Sequence, residues 1–139
     1  MKYLLDTCVI SELIKPVKNN KVVKWIKSRK EDSLFISVLT IGEIHKGILK
    51  LPDSTKKESL RAWVDNDLKK RFAGRMLEIT EKIAIFWGEI QATSESEGKK
   101  MPVIDSLIAA TAIKNNLTVV TRNTKDIENS GCKSINPWE

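Results

Sequence analysis

Four carboxylates in this chain are set apart by their surroundings. Asp6, Glu43, Asp105 and Asp126 each stand among apolar or small residues at the boundary of an expected element, whereas the remaining acids fall mostly in polar, charge-mixed stretches. Gathering several anions in such a setting is strongly unfavourable unless a positive charge lies among them. Oxygen donors alone suit a hard divalent cation such as Mg²⁺ or Mn²⁺. Taken singly, each residue also has a plain structural reading. Asp6 precedes an expected helix, where Asp is a favoured cap, and Asp105 falls in a first helical turn, where the macrodipole favours an anion.

Other chemistries find less support. The single histidine, His45, lies two positions from Glu43, which puts the two on nearly opposite sides of a helix. No serine sits in a G-x-S-x-G elbow, and no Gly-rich phosphate loop occurs. Cys8 reads as a small core thiol. Cys8 and Cys132 are the only cysteines, and their spacing fits neither a disulfide framework nor a zinc motif.

The elements that must position the carboxylates follow from periodicity. Tyr3-Leu4-Leu5 is a short apolar run ending on Asp6, which reads as a covered strand leading into a helix near Ser11 to Ile14. Further strands are expected at Leu34 to Ile36, Met76 to Ile79, Leu117 to Thr121 and near Ser134-Ile135. Between them, helical spacing runs through Val22, Val23 and Ile26, and through Val38, Ile41, Ile44 and Ile48 behind a Ser37 cap, with Glu43 inside. Thr55 with Glu58 reads as a capping box for a long helix through Leu60, Trp63, Val64 and Leu68, basic on its outer face. Thr80 caps a helix carrying Ile83, Phe86, Trp87 and Ile90, which fades into a polar loop at Ser94 to Gly98. Pro102 opens a helix through Ile104, Leu107, Ile108 and Thr111. Strands alternating with helices imply a parallel sheet covered on both faces, an α/β/α fold. Ligands in such sheets bind outside the carboxyl ends of the strands, which is where Asp6 lies.

Composition sets outer bounds. At 139 residues the expectation is a single domain spanning 1–139. Hydrophobic residues make up 41% and charged residues 30%, ordinary for a folded protein. The longest apolar run, Ile83 to Trp87, falls far short of the roughly 20 residues a bilayer requires. Asp6 interrupts any early apolar segment, so no signal peptide is expected and the location is cytoplasmic, without membrane attachment. The formal charge is +6, with cations gathered in Lys15 to Lys30, at Lys56, Lys57 and Arg61, in Lys69 to Arg71 with Arg75, and at Lys99-Lys100. Such groups suit a polyanion through counterion release, and equally serve as solubility charge on helix faces.

These residues carry a resemblance to PIN-domain proteins of the VapC and FitB type, the toxins of type II toxin–antitoxin pairs. The matching stretches are Leu4 to Thr7 with Val9 to Ser11, Ser37 to Glu43 with Gly47, Asp105 to Ala112, Val120 to Asp126, and Asn136-Pro137-Trp138. The resemblance extends from first strand to last. It implies a three-layer α/β/α fold with a five-stranded parallel sheet in the order 3-2-1-4-5, and a metal-dependent endoribonuclease. Its acidic ligands map onto Asp6, Glu43 and Asp105, with Mg²⁺ or Mn²⁺ as cofactor. The fourth polar position just after Thr121-Arg122 holds Asn123 in place of an acid, leaving Asn123 or Asp126 to fill it. Cys8 stands where an asparagine is common. Thr7 and Thr121 would hydrogen-bond the phosphate or the metal's water shell, and Arg122 would hold a flanking phosphate or pair with a buried acid. The implied partners are RNA, a cognate antitoxin, promoter DNA through that antitoxin only, and a second copy in a homodimer.

Two rival readings follow from the same residues. A catalytically weakened PIN module would bind RNA or DNA with its antitoxin without cutting, and Asn123 favours it. A phosphotransfer domain would use Asp6 as phosphoryl acceptor. Aspartyl phosphatases of that kind need an acid where Cys8 stands, and a receiver domain wants a lysine where Arg122 follows Thr121.

Overall fold

The computed structural model describes residues 1–139. Its strands are β1 (Tyr3–Leu5), β2 (Leu34–Ser37), β3 (Met76–Leu77), β4 (Thr118–Val120) and β5 (Ser134–Ile135). They form one sheet in the order β3-β2-β1-β4-β5, with every neighbouring pair parallel. The expected three-layer architecture and strand order are therefore those of the molecule. Because side chains alternate across a strand, Tyr3 and Leu5 enter one core with Leu34, Ile36 and Val120. Leu4 enters the other, with Val119 and Ile108. Both faces of β1 are thus apolar, and all three of its residues are buried.

The helices are α1 (Thr7–Leu13), α2 (Asn20–Lys27), α3 (Val38–Leu49), α4 (Thr55–Ala62), α5 (Lys69–Arg71), α6 (Glu81–Ser96), α7 (Val103–Lys114) and α8 (Thr124–Glu128). The core on the Leu5 side takes Val9 and Ile10 of α1, Val22 and Ile26 of α2, and Ile44 and Ile48 of α3. The opposite core takes Ile108, Ala109 and Ala112 of α7 and Ile127 of α8. A third cluster of Ile83, Ile90, Met101 and Ala110 joins α6 to α7. No helix is long and apolar enough to cross a membrane.

Three expectations are corrected. The cap of α4 is Ser54, whose hydroxyl accepts from the Lys57 amide, so Thr55 is already the first helical residue. The expected long helix is not uniform: α4 passes through a π-helical stretch at Trp63–Leu68 before α5. Its buried residues Val64, Leu68 and Phe72 recur every four positions. An α-helix drifts about 40° over each such step, and the wider π turn rotates back, keeping all three on the core. The polar run from Ser94 is helical through Ser96, because Ser94 is buried, donating to the Gln91 carbonyl at 3.1 Å and accepting from the Met101 amide at 3.4 Å.

Two of the expected basic groups are partly engaged within the chain. Lys57 is buried and donates to the carbonyls of Leu49 at 3.4 Å and Leu51 at 3.1 Å, closing the C-terminus of α3. Arg71 and Arg75 both grip Glu31 at 3.0 Å, and the Arg71 guanidinium, first among the causes, holds that carboxyl below its usual range.

Candidate active site

Asp6 is where β1 gives way to α1. Its amide donates to the Val120 carbonyl at 2.9 Å, extending the β1–β4 pairing by one step. Its carbonyl then accepts from Val9 at 3.0 Å, and its Oδ1 accepts from the Thr7 amide at 2.8 Å. Asp6 therefore is the cap that its position suggested, and its second oxygen remains for other work. That oxygen, Oδ2, accepts from the fully buried Thr121 hydroxyl at 2.8 Å. Thr121 in turn accepts from the Asn123 amide at 3.0 Å. One hydroxyl thereby links the ends of β1 and β4, the point where the sheet's winding reverses.

Glu43 reaches the same region from α3, which begins on Ser37, whose hydroxyl accepts from the Leu39 amide at 3.0 Å. The Thr7 hydroxyl donates to Glu43 Oε1 at 2.6 Å and stands 3.1 Å from the buried Thr40 hydroxyl. Thr7 and Thr121 thus each orient a carboxylate. Thr40 was not anticipated from sequence, being an unremarkable polar residue one helical turn before Glu43.

Asp105 comes from the first turn of α7. Ser106 beside it anchors that turn: its hydroxyl accepts from Trp87 Nε1 at 2.9 Å and from Gln91 Nε2 at 2.6 Å, both on α6. Burial pushes the Asp105 carboxyl up to about 6, helped by the charges of Asp6, Asp126 and Glu43 in that order. The other three carboxylates singled out from the sequence are therefore near enough to act on Asp105. Asp126, in α8, belongs to this group, whereas Asn123 is exposed and its side chain makes no cap bond. His45 is exposed.

No three Asp, Glu, His or Cys side chains stand close enough to hold a common metal ion. The donor set fits one chemically. Its members are oxygen ligands, they carry negative charge without an internal counterion, and their mutual repulsion is visible at Asp105. Cys8 is only half-buried, a departure from the core thiol expected. Its Sγ lies 3.8 Å from Asp6 Oδ2 and 3.7 Å from the Thr121 hydroxyl. Burial first, then the Asp6 charge, keeps this thiol protonated, and Cys8 acts as a weak donor to the site.

A groove of about 340 Å³ leads away from Thr7 and Glu43 between α1, α3 and α4. Ile14, Ile44, Ile48, Leu51 and Leu60 line it, with Lys15 and Lys56 among its polar residues. Alongside the groove lies a group that sequence reading passed over. Glu12 is almost wholly buried, 3.0 Å from Lys15 and 3.7 Å from Arg122. Its Oε2 accepts from the Asn19 amide at 3.1 Å. The Lys15 ammonium foremost, then that amide, hold the Glu12 carboxyl below its usual range. The sequence signal was Lys15 three positions after Glu12, on one helical face.

Comparison with known proteins agrees with this fold. The PIN domain family model matches residues 3–129. Toxin FitB of Neisseria gonorrhoeae is 35% identical over 135 residues, covering 97% of each chain. The VapC ribonuclease Y4jK of Sinorhizobium fredii is 31% identical over 136 residues, 98% of this chain and 97% of its own. The structure of FitAB bound to an IR36 DNA fragment superposes with a TM-score of 0.93 at 34% identity, covering 99% of this chain and 96% of that one. Sequence, strand order and overall fold converge on one conclusion: the chain belongs to the PIN-domain family, among the toxins of the VapC and FitB type.

Proposed function

We propose that the chain, acting as a single unit over residues 1–139, is a Mg²⁺- or Mn²⁺-dependent endoribonuclease and the toxin of a type II toxin–antitoxin pair. The observation that carries this reading is the Asp105 carboxyl, raised by burial first and then by the charges of Asp6, Asp126 and Glu43, which lie within electrostatic reach of it. Asp6, Glu43 and Asp105 would hold the ion, with Asp126 placed to assist. When bound, the ion supplies charge neutralisation at the scissile phosphate and lowers the pKa of a water.

The chain's own residues do the positioning. Thr121 and the Thr7 amide fix the Asp6 carboxylate from two directions. The Thr7 hydroxyl fixes Glu43, whose free oxygen can orient an attacking water. Ser106 fixes the turn bearing Asp105. RNA is the substrate class favoured by a relative whose name is VapC ribonuclease and by the chain's surplus of cations.

An antitoxin partner is favoured by the FitAB assembly on DNA. The chain carries no DNA-reading motif of its own, so promoter contact would come through that partner. The apolar groove beside Glu43 offers such a partner a place to lie across the carboxylates. Self-association would bury exposed apolar residues such as Ile85 or Val103.

The test compares the intact chain with Asp6→Asn and Asp105→Asn on total cellular RNA with Mg²⁺ or Mn²⁺, mapping new ends. Discrete cuts lost in both variants support the nuclease. A second reading, a PIN module that binds RNA without cutting, is favoured by the absence of three carboxylates within coordinating reach and by Asn123 in an acid's place. RNA binding without cuts under any metal would select it.

A further inference from the structure

No hydrogen bond or ion pair joins Glu12, Lys15 or Arg122 to any of the four carboxylates. Glu12 lies on α1, six residues beyond Asp6, and its side chain is only 5% exposed. Such burial of a carboxylate requires partners, and two cations share its Oε1. Lys15 takes that oxygen at 3.0 Å, and the Asn19 amide takes the other. The carboxylate is therefore satisfied before Arg122 is counted. At 3.7 Å the Arg122 contact is longer than a hydrogen bond. What orients Arg122 instead is Trp138, whose ring centre lies 4.1 Å from the guanidinium carbon.

The result is a positive group with one charge in excess, built on a buried anchor. Both cations keep 53% of their side-chain surface exposed. Arg122 directly follows Thr121, which holds Asp6. Lys15 lies on the groove that begins at Thr7 and Glu43. A strand of RNA entering a pocket of four carboxylates meets repulsion at the centre, so attraction has to come from the rim. A planar guanidinium held by stacking, beside an ammonium on the same oxygen, matches the non-bridging oxygens of a phosphodiester.

We propose that Lys15 and Arg122, anchored by Glu12 and Trp138, form a rim site that binds an RNA backbone phosphate next to the one being cut. This rests on the ribonuclease reading above. The site reads no base, so its contribution is to affinity and strand placement for any sequence. Trp138 and Glu12 are positioning residues.

The experiment uses the full chain carrying Asp105→Asn, bound to a fluorescein-labelled single-stranded RNA of mixed sequence across a series of salt concentrations. Replacing both cations, Lys15→Gln with Arg122→Gln, removes both charges and keeps a polar side chain at each position. The plot of log affinity against log salt should then flatten by about 0.7, the value for one phosphate on a single strand. Arg122→Lys, which keeps the charge, should leave the slope as it is. In the otherwise intact chain the double change should raise KM for the same RNA and leave kcat nearly unchanged, a split that a merely structural role would not produce. An unchanged slope with unchanged KM overturns the rim while leaving the ribonuclease in place. Failure of the unaltered rim to bind RNA at all overturns both.

Discussion

Thr121 carries more of the site than its chemistry suggests. Its single hydroxyl proton goes to Asp6, and the same oxygen receives the Asn123 amide. Thr121→Val keeps the shape of this fully buried side chain, strands the buried Asp6 oxygen and takes the acceptor from the amide of the exposed Asn123. An orphaned buried group costs about 1 to 3 kcal/mol. We expect Thr121→Val to lose that much stability in urea and to cut RNA at least about tenfold more slowly, since about 1.4 kcal/mol of lost orientation is a factor of ten. Thr121→Ser should recover most of both. A valine variant that cuts like the parent would remove Thr121 from the site. Asp6, Glu43, Asp105 and Asp126 were legible in the sequence because a carboxylate among apolar neighbours is conspicuous. Glu12 was not, because an acid in a short helix near lysines reads as solvated surface. The Thr121–Asp6 bond joins residues 115 positions apart, which no local period records.

The helices bearing the carboxylates are held by contacts at their ends. Glu43 depends on α3, and the C-terminus of α3 depends on Lys57, whose ammonium sits on the Leu49 and Leu51 carbonyls and 3.2 Å from Asp53. Lys57→Met retains the stem and removes the charge from the negative end of the dipole, which should cost about 1 to 2 kcal/mol. The urea midpoint should fall with the slope unchanged. An unaltered midpoint would show that water replaces the ammonium without loss. Asp105 depends likewise on Ser106, so Ser106→Ala should cost about 1 to 3 kcal/mol by orphaning donors of Trp87 and Gln91. Nuclease activity should fall with it, as the first turn of α7 loses its anchor. Wild-type activity in a destabilised Ser106→Ala protein would show that Asp105 is placed by other contacts. Periodicity announced these helices but not their ends. Thr55 and Glu58 have a capping box's spacing, yet Ser54 one residue earlier takes the role. Lys57, in a run of cations, gave no sign of being internal.

Across the whole molecule, a tightly built sheet supports a pocket that opposes folding. The chain carries +6 overall, but Asp105 faces Asp6, Asp126 and Glu43, and its carboxyl is raised from near 3.8 to about 6. A carboxyl with a higher pKa folded than unfolded binds its proton more tightly in the folded state. Its contribution to stability is complete below about pH 3.8 and is lost as pH rises through about 6. Without divalent ions, the pocket should therefore lower the melting temperature between those values, superimposed on whatever other groups contribute. Asp105→Asn should remove that component and melt higher than the parent at pH 7.5, even though it abolishes cutting. Adding Mn²⁺ at pH 7.5 should reverse the ordering. An ion that binds only the folded state at a thousand times its dissociation constant adds about 4.1 kcal/mol, or about 8 to 16 °C for a chain of this size. The Asn variant should gain little. Differential scanning calorimetry of both proteins, with and without Mn²⁺, separates the cases. Equal melting of the two without metal would mean that the carboxylates relieve their repulsion by moving apart. Equal gains with metal would place the ion away from Asp105. The expected crossing, with the variant more stable alone and the parent more stable with Mn²⁺, would mark the pocket as strained in the absence of its ion.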